Sequence, residues 1–231
     1  MKKFLGVVCG LVFAAGILPA HAADGDKNQQ RLTESANIID EIMATPDKAI
    51  PQSILAKAEC VIVIPAVKKL AFGVGGEYGR GVGTCRTGHG WSGPVFMKLA
   101  GGSFGFQIGG QSTDLVLLGM NKKSLQDMIA SKFKIGADIS AAAGPVGRNA
   151  QASTDILLSA EFLTYSRAKG LFAGVDLTGT VLDADDEDLT AEYGQGVRND
   201  GVLRGNVPTP PNAQPFVHTV AKYFVLSRAN Q

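Results

Sequence analysis

Residues 70–110 read LAFGVGGEYGRGVGTCRTGHGWSGPVFMKLAGGSFGFQIGG, with glycine recurring between apolar and aromatic residues. Glycine inside a strand normally weakens it. A run this dense therefore implies β-structure with bends, bulges or backbone approached closely by another strand, a ring or a ligand. The spacing predicts a meander of strands at 70–76, 79–86, 92–99, 102–109 and 112–118, with glycine or asparagine at most joints. The pieces LAFGVGGEYG, GSFGFQIGG and LFAGVDLTG share an aromatic residue, small residues and a closing glycine. They match too loosely for a repeat and fit strands meeting one geometric demand, a curved sheet folding over itself.

Working outward, residues 60–64 (CVIVI) read as a fully buried strand. Upstream, Leu32, Ala36, Ile39, Ile42 and Met43 have helical spacing over 27–45, closed by Pro46. A short helix is expected from Pro51, where proline suits the first turn, to Ala58. Downstream, a helix over 122–133 places Leu125, Met128, Ile129 and Phe133 on one face. The small-residue segment 141–148 follows, then strands at about 154–168 and 171–178. Residues 185–193 read as a short helix, 208–215 as a proline-rich connection, and 216–226 as a final helix burying Phe216, Val220, Phe224 and Tyr223. The fold class is α+β: a strongly curved, mainly antiparallel, Gly-rich sheet, barrel- or sandwich-like, with flanking helices.

Met1-Lys2-Lys3, the apolar run 4–18 and the small-residue site Ala20-His21-Ala22 have the three parts of an export signal. Cys9 lies inside the apolar run, which disfavours a lipoprotein anchor. Removing 22 of the 231 residues leaves 209, a length that suits one domain, 23–231. The mature chain then carries 20 basic against 21 acidic residues, a net charge of −1 that gives no general attraction to nucleic acid. The lysine-led start suits a bacterial signal and a periplasmic or envelope-associated location. Cys60 and Cys85 remain. A disulfide across neighbouring strands and two buried thiols both fit, and the oxidising compartment tilts the reading towards the bridge.

The blocks IPAVKKLAFGVGGEYGRGVGTCR, WSGPVFMKLAGGSFGFQIGGQSTDLVLLGM, SAAAGPVGR, TYSRAKGLFAGVDLTG and AEYG, in this order, resemble the SYLF domain family of lipid-binding proteins over about 50–226. The resemblance implies a compact domain that binds anionic phospholipid, with phosphoinositide binding and actin association in eukaryotic relatives. It implies no catalytic residue, cofactor or metal. Residues 24–50 carry three basic and six acidic side chains, which is the wrong sign for electrostatic adsorption of that helix to anionic lipid. An export signal would also remove actin as an available partner. A structural or stress-related envelope protein that binds another protein remains the alternative class.

A lipid site needs an apolar slot and cations or backbone N–H groups for phosphate. The candidate cations are Lys68, Lys69, Arg80, Arg86, Lys98, Arg148 and Lys169. Arg148 follows the Gly-rich turn 144–147, and a phosphate grip fits it as well as a surface or ion-paired arginine does. Arg80 and Arg86 share a strand face, as a phosphate patch or a solvated surface. Arg148, Arg80, Arg86 and Lys169 are the headgroup candidates. Among Phe72, Trp91, Phe96, Phe104, Phe106 and Phe172, most suit core packing. Trp91, Phe104 and Phe172 are the candidates for apolar lipid contact, Trp91 at a rim after the His89-Gly90 turn.

An enzymatic alternative comes from 101–105, GGSFG, which satisfies G-x-S-x-G, with Asp176 and His218 downstream of Ser103 in the hydrolase order. The motif needs strand, tight turn, then helix, and Ser103 is followed by a strand pattern. In a chain with 29 glycines the match is expected by chance. His89 and His218 lie far apart with no HExxH or CxxC beside them, and the acids of 183–188 lack the glycine and glutamate of a calcium loop. No G-x-x-x-x-G-K-[ST] motif appears, so nucleotide binding is not expected. The reading is a non-catalytic binder of anionic phospholipid, needing no cofactor.

Overall fold

The computed structural model describes residues 21–44, 49–147, 160–168 and 171–229. The segment 1–22, expected to be an export signal, lies outside them apart from its last two positions, which begin helix α1, His21–Met43. Helix α2, Gln52–Lys57, follows, with Pro51 at its N-cap.

Two long strands replace the expected meander. Strand β1 spans Cys60–Thr87, the two-residue β2 is Gly90–Trp91, and β3 spans Val95–Gly119. β1 and β3 pair antiparallel from Cys60↔Gly119 to Gly83↔Val95, with irregularities between Ile64 and Val67 and between Ala71 and Gly73. At the first, Ala66 has φ 49° and its N–H donates to Asp114 Oδ1 at 2.9 Å. The glycine pairs expected to be joints sit inside this ladder, Gly76 opposite Gly102 and Gly110 opposite Leu70. A glycine keeps both backbone hydrogen-bonding groups, so it bends a ladder without ending it.

Helix α3, Lys122–Ile129, is capped by Asn121, whose side chain accepts from the N–H groups of Lys123 and Ser124. It stops earlier than expected. Ser131 takes φ 68°, and Phe133 enters strand β4, Lys132–Lys134, where it stacks on Phe162. Then come β5, Ala141–Ala143, β6, Phe162–Ala168, β7, Leu171–Gly174, and β8, Val181–Ala184. Helix α4 is Asp186–Tyr193, α5 is Asn199–Leu203, and a 3₁₀ turn at Pro211–Ala213 leads into α6, Gln214–Ala229. The expected strand over 154–168 is β6 at its C-terminal end; residues 154–159 lie outside the described residues.

The eight strands form one open, strongly curled sheet, a half-barrel braced by helices. The outer edge of β3 is divided: Met97–Ala100 pairs with β8, and Asp114–Gly119 pairs with β6. The two halves of the β1–β3 ribbon thus belong to different walls. Where they meet face to face, side chains must vanish. A Cβ on Gly79 would lie 2.7 Å from Ile64 Cγ2 and 2.8 Å from Val67 Cγ2, and one on Gly81 would strike the Val63 carbonyl oxygen. β1 therefore packs on itself, its buried start Val61–Ile64 against its own glycine-bearing second half.

The curl brings the ends of β1 together. Arg86 N–H donates to the Glu59 carbonyl at 2.7 Å, and a disulfide joins Cys60 to Cys85 with a Cα–Cα distance of 4.0 Å. The bridge forms, but within one strand rather than across neighbours. Over the outer face, α1 buries Leu32, Ala36, Ile39 and Ile42, and α6 buries Phe216, Val220 and Phe224, as their periodicity predicts. Tyr223 donates its hydroxyl proton to Asp40 at 2.7 Å, tying α6 to α1. Among the described residues no helix is long and apolar enough to cross a membrane.

Candidate functional site

Residue Tyr78 leads into the site because it is 48% exposed on the outer face of β1, with Arg80 two residues further along the same face. Arg80 Nε donates to the Tyr78 hydroxyl at 2.7 Å. Its cross-strand neighbour is Lys98 on β3. Two like charges side by side on a sheet repel, and here the start of α4 supplies the counter-charge. Arg80 Nη1 lies 3.3 Å from Asp185 Oδ2 and 3.2 Å from Asp188 Oδ2, and Lys98 Nζ lies 2.9 Å from Asp185 Oδ1. From α1, Arg31 Nη1 donates to Asp188 Oδ2 at 2.6 Å, with its guanidinium 5.7 Å from the Phe96 ring centroid. Asn28, one helical turn earlier, donates to the Asp188 carbonyl at 3.0 Å.

Three cations thus share two carboxylates that are almost fully buried, Asp185 at 0% and Asp188 at 4% exposure. Asp185 is also the N-cap of α4, accepting from the Asp188 N–H at 3.4 Å. Asp185 and Asp188 are enclosed while Arg80 and Lys98 stay about one third exposed, so these two cationic groups face outward. The hydrogen bond to Tyr78 raises the Arg80 guanidinium further, and the one to Asp185 raises the Lys98 ammonium. Both remain charged. Beside them a groove of about 410 Å³ is lined by Lys27, Gln30, Arg31, Glu34, Pro65 and Arg80. An anion entering it meets guanidinium groups already oriented by carboxylates.

The other candidates fall in different places. Arg86 does not share a patch with Arg80. Its Nε donates to the Ala58 carbonyl at 2.7 Å, its Nη2 to the Phe224 carbonyl at 3.0 Å, and its guanidinium lies 4.6 Å over the Trp91 ring. Trp91 is not at an exposed rim; it is 9% exposed and meets Phe224 edge-on at 5.5 Å. Both are drawn inward because the β1–β2 turn is covered by α6. Phe172 is buried against Tyr165, stacked at 5.2 Å, and Phe96 is fully buried. Lys68 is exposed, and Lys69 pairs with buried Glu77 at 2.9 Å. Arg148 and Lys169 lie outside the described residues, as do the side chains of Phe72, Phe104 and Phe106. Phe104 backbone pairs with Val74 in the ribbon.

Ser103 sits in mid-strand opposite Gly75, so the strand–turn–helix elbow of a hydrolase is not built there. Asp176 is engaged with Thr178, accepting its N–H at 2.8 Å and its hydroxyl at 2.6 Å. Residues 88–93, GHGWSG, spell G-x-G-x-x-G, but they form the turn into β2 and no helix follows, so the letters carry no dinucleotide site. Among the described residues no group of three or more His, Cys, Asp or Glu is placed to hold a metal ion. Arg31, Asn28, Asp185 and Asp188 were missed by the sequence reading. Their signal was Asn28 and Arg31, polar residues on the apolar face that Leu32 continues.

The described residues thus form a helix-braced half-barrel with a groove lined by carboxylate-held guanidinium groups. The family model for Ysc84, described as Las17-binding protein actin regulator, matches residues 100–223. SH3 domain-containing YSC84-like protein 1 of Rattus norvegicus is 34% identical over 172 residues, 73% of this chain and 50% of its own. The Homo sapiens protein of the same name gives the same figures, and Protein YSC84 of Saccharomyces cerevisiae is 33% identical over 178 residues, 74% of this chain and 37% of its own. The chain belongs to the Ysc84 family, the SYLF-type domain its motifs resemble. It spans about half the length of the curated mammalian relatives it matches.

Proposed function

We propose that this chain is a non-catalytic binder of anionic phospholipid at the envelope membrane to which residues 1–22 would export it. One observation carries the reading: the partly exposed cations Arg80 and Lys98, cross-strand neighbours on β1 and β3, lie on the same two strands as an uncharged ribbon. Residues 70–76 and 99–113 contain no charged side chain, and they include Phe72, Phe104, Phe106 and Ile108. The headgroup phosphate pairs with Arg80 at the groove and with its cross-strand neighbour Lys98 beside it, with Arg148 and Lys169 as further cations, and the ribbon contacts acyl chains. Buried carboxylates hold the cations in place, which lowers the entropy lost on binding. Helix α1 serves as a wall of the groove and not as a membrane anchor, since its apolar face is already buried.

Flotation of the mature chain with vesicles tests this. Vesicles of phosphatidylcholine with 30% phosphatidylglycerol, a probe composition of roughly physiological anionic content, should carry the protein upward, and pure phosphatidylcholine should not. Phe104→Ser and Arg80→Gln should each weaken flotation while the circular dichroism spectrum is retained. Indifference to vesicles of every acidic composition refutes the reading. A second reading, binding to a protein partner, is supported by the family description. Saturable co-sedimentation with purified actin filaments in the absence of lipid would favour it.

A further inference from the structure

Lys69 and Glu77 stand eight residues apart on β1, a span of about 26 Å in an extended strand. Yet Lys69 Nζ pairs with Glu77 Oε2 at 2.9 Å. β1 has doubled back between them, and the ion pair is a further rung between the two arms that also meet at Cys60–Cys85 and where Ile64 faces Gly79. Beyond this rung lies the apex of the ribbon. Its residues 70–76 carry no charge, nor do residues 99–113 of β3, which run beside them.

The rung decides where Tyr78 points. Glu77 is 8% exposed and its Oε1 accepts from the Thr180 hydroxyl at 2.7 Å, while Gly79 is pressed against Ile64 and Val67. With both neighbours locked inward, strand alternation turns Tyr78 outward. Tyr78 and Leu171 on β7 are the two large hydrophobic side chains left exposed among the described residues. Along this outer face the cross-strand pairs are graded: Arg80 faces Lys98, Tyr78 faces Ala100, and Gly76 faces Gly102, with the uncharged apex next. Gly76, Ala100 and Gly102 are exposed, and among the described residues a Cβ on Gly102 would meet nothing within 4 Å beyond its chain neighbours. The Tyr78 hydroxyl accepts from Arg80 Nε at 2.7 Å, which leaves its own proton to donate. Lipid phosphate oxygens are acceptors for such a proton. The two-residue step from Arg80 to Tyr78 is about 7 Å, and the polar layer of one leaflet is about 5–7 Å thick.

We infer that Tyr78 is the interfacial anchor on a phospholipid leaflet, its ring at the boundary between headgroups and acyl chains, with Arg80 and Lys98 at the phosphates and the ribbon apex in the hydrocarbon. Tyrosine suits that level, having an apolar ring and a polar tip. The inference rests on the membrane reading proposed above and adds the residue that sets the depth of contact.

The test replaces Tyr78 with tryptophan. Trp91 is the sole tryptophan of the chain and is 9% exposed, so the parent protein serves as the blank. Vesicles of the anionic composition above are made with lipid brominated near either the glycerol end or the methyl end of its acyl chains. Tyr78→Trp emission should shift to the blue on binding and be quenched more by the first vesicles than by the second, with parent emission unchanged. Tyr78→Ser should lower the vesicle partition coefficient about tenfold, as expected for losing one partly exposed ring from an apolar layer. Tyr78→Phe should recover most of that loss. Unchanged partition of Tyr78→Ser, quenching of Tyr78→Trp no greater than the parent's, stronger quenching from the methyl end, or the same emission shift with inorganic phosphate alone would each overturn the anchor. Any of these results with a parent that still floats removes the anchor and leaves the membrane reading standing; a parent that ignores every acidic vesicle removes both.

Discussion

Replacing Gly81 with alanine probes the self-packing of β1 directly. The added Cβ would strike the Val63 carbonyl oxygen and lie 2.7 Å from Ile64 Cγ1 and 2.9 Å from Ile64 Cα. Two of these three obstacles are backbone atoms in the β1–β3 ladder, so relief requires the two walls of the half-barrel to separate. Overpacking of this kind costs about 1–3 kcal/mol. Alanine offsets about 0.4–1 kcal/mol of that by restricting the unfolded chain. The net loss expected is about 1–2 kcal/mol, a fall in the urea midpoint of roughly 0.5–1 M at a slope of about 2 kcal/mol/M. Gly76→Ala is the internal control, since its Cβ would find only the Gly101 carbonyl oxygen at 3.8 Å. It should leave the midpoint unchanged or raise it. Gly83→Ala should fall between them, because its nearest obstacle is the mobile end of Met128 at 2.5 Å. Equilibrium unfolding followed by circular dichroism measures all three. If Gly81→Ala is as stable as the parent, or Gly76→Ala is equally damaging, β1 does not fold across itself as described.

The Cys60–Cys85 bridge closes a sequence separation of 25 residues. Chain-entropy reasoning puts its contribution at about 3.5 kcal/mol, so dithiothreitol should lower the unfolding midpoint of the parent and leave that of Cys60→Ala/Cys85→Ala unchanged; an identical parent midpoint with and without reductant argues against the bridge. Arg31→Met should destabilise by about 2–4 kcal/mol by leaving Asp188 under-compensated, and Arg31→Met with Asp188→Leu should recover part of it. A double-mutant coupling below about 0.5 kcal/mol would show that the pair is not coupled. Asp40 has its carboxyl held below the usual value of 3.8, chiefly by the Tyr223 hydrogen bond and also by Lys222. Its folded pKa is depressed, so its contribution is complete above the unfolded value and disappears as pH falls through the folded one. Asp40→Asn should flatten the stability profile below about pH 4; a profile parallel to the parent's there contradicts this.

Periodicity exposed the amphipathic faces of α1 and α6, the start of α3 and the buried strand at 60–64, because each is a local pattern that any packed context must respect. It misjudged the ribbon. Glycine-rich sequence fits a turn as well as it fits a strand crossed by another, and only the position of Ile64 and Val67 over Gly79 and Gly81 decides between them. Strands β4, β5 and β8 are three or four residues long, too short to show a period, and their existence depends on the edges they pair with.

The candidate site was half legible. Arg80 could be picked out by its charge and strand spacing, but its partners Arg31, Asp185 and Asp188 come from segments more than a hundred residues apart, 157 between Arg31 and Asp188. Arg86 and Trp91 looked like surface residues from their neighbours in sequence, and helix α6 covers them. Sequence alone therefore determined the family, the class of fold and the faces of its main helices, since these rest on interactions within a few residues of chain. Tertiary structure decided which cations stay exposed and which are enclosed, because a charge's worth depends on the dielectric and counter-charges that distant segments bring to it.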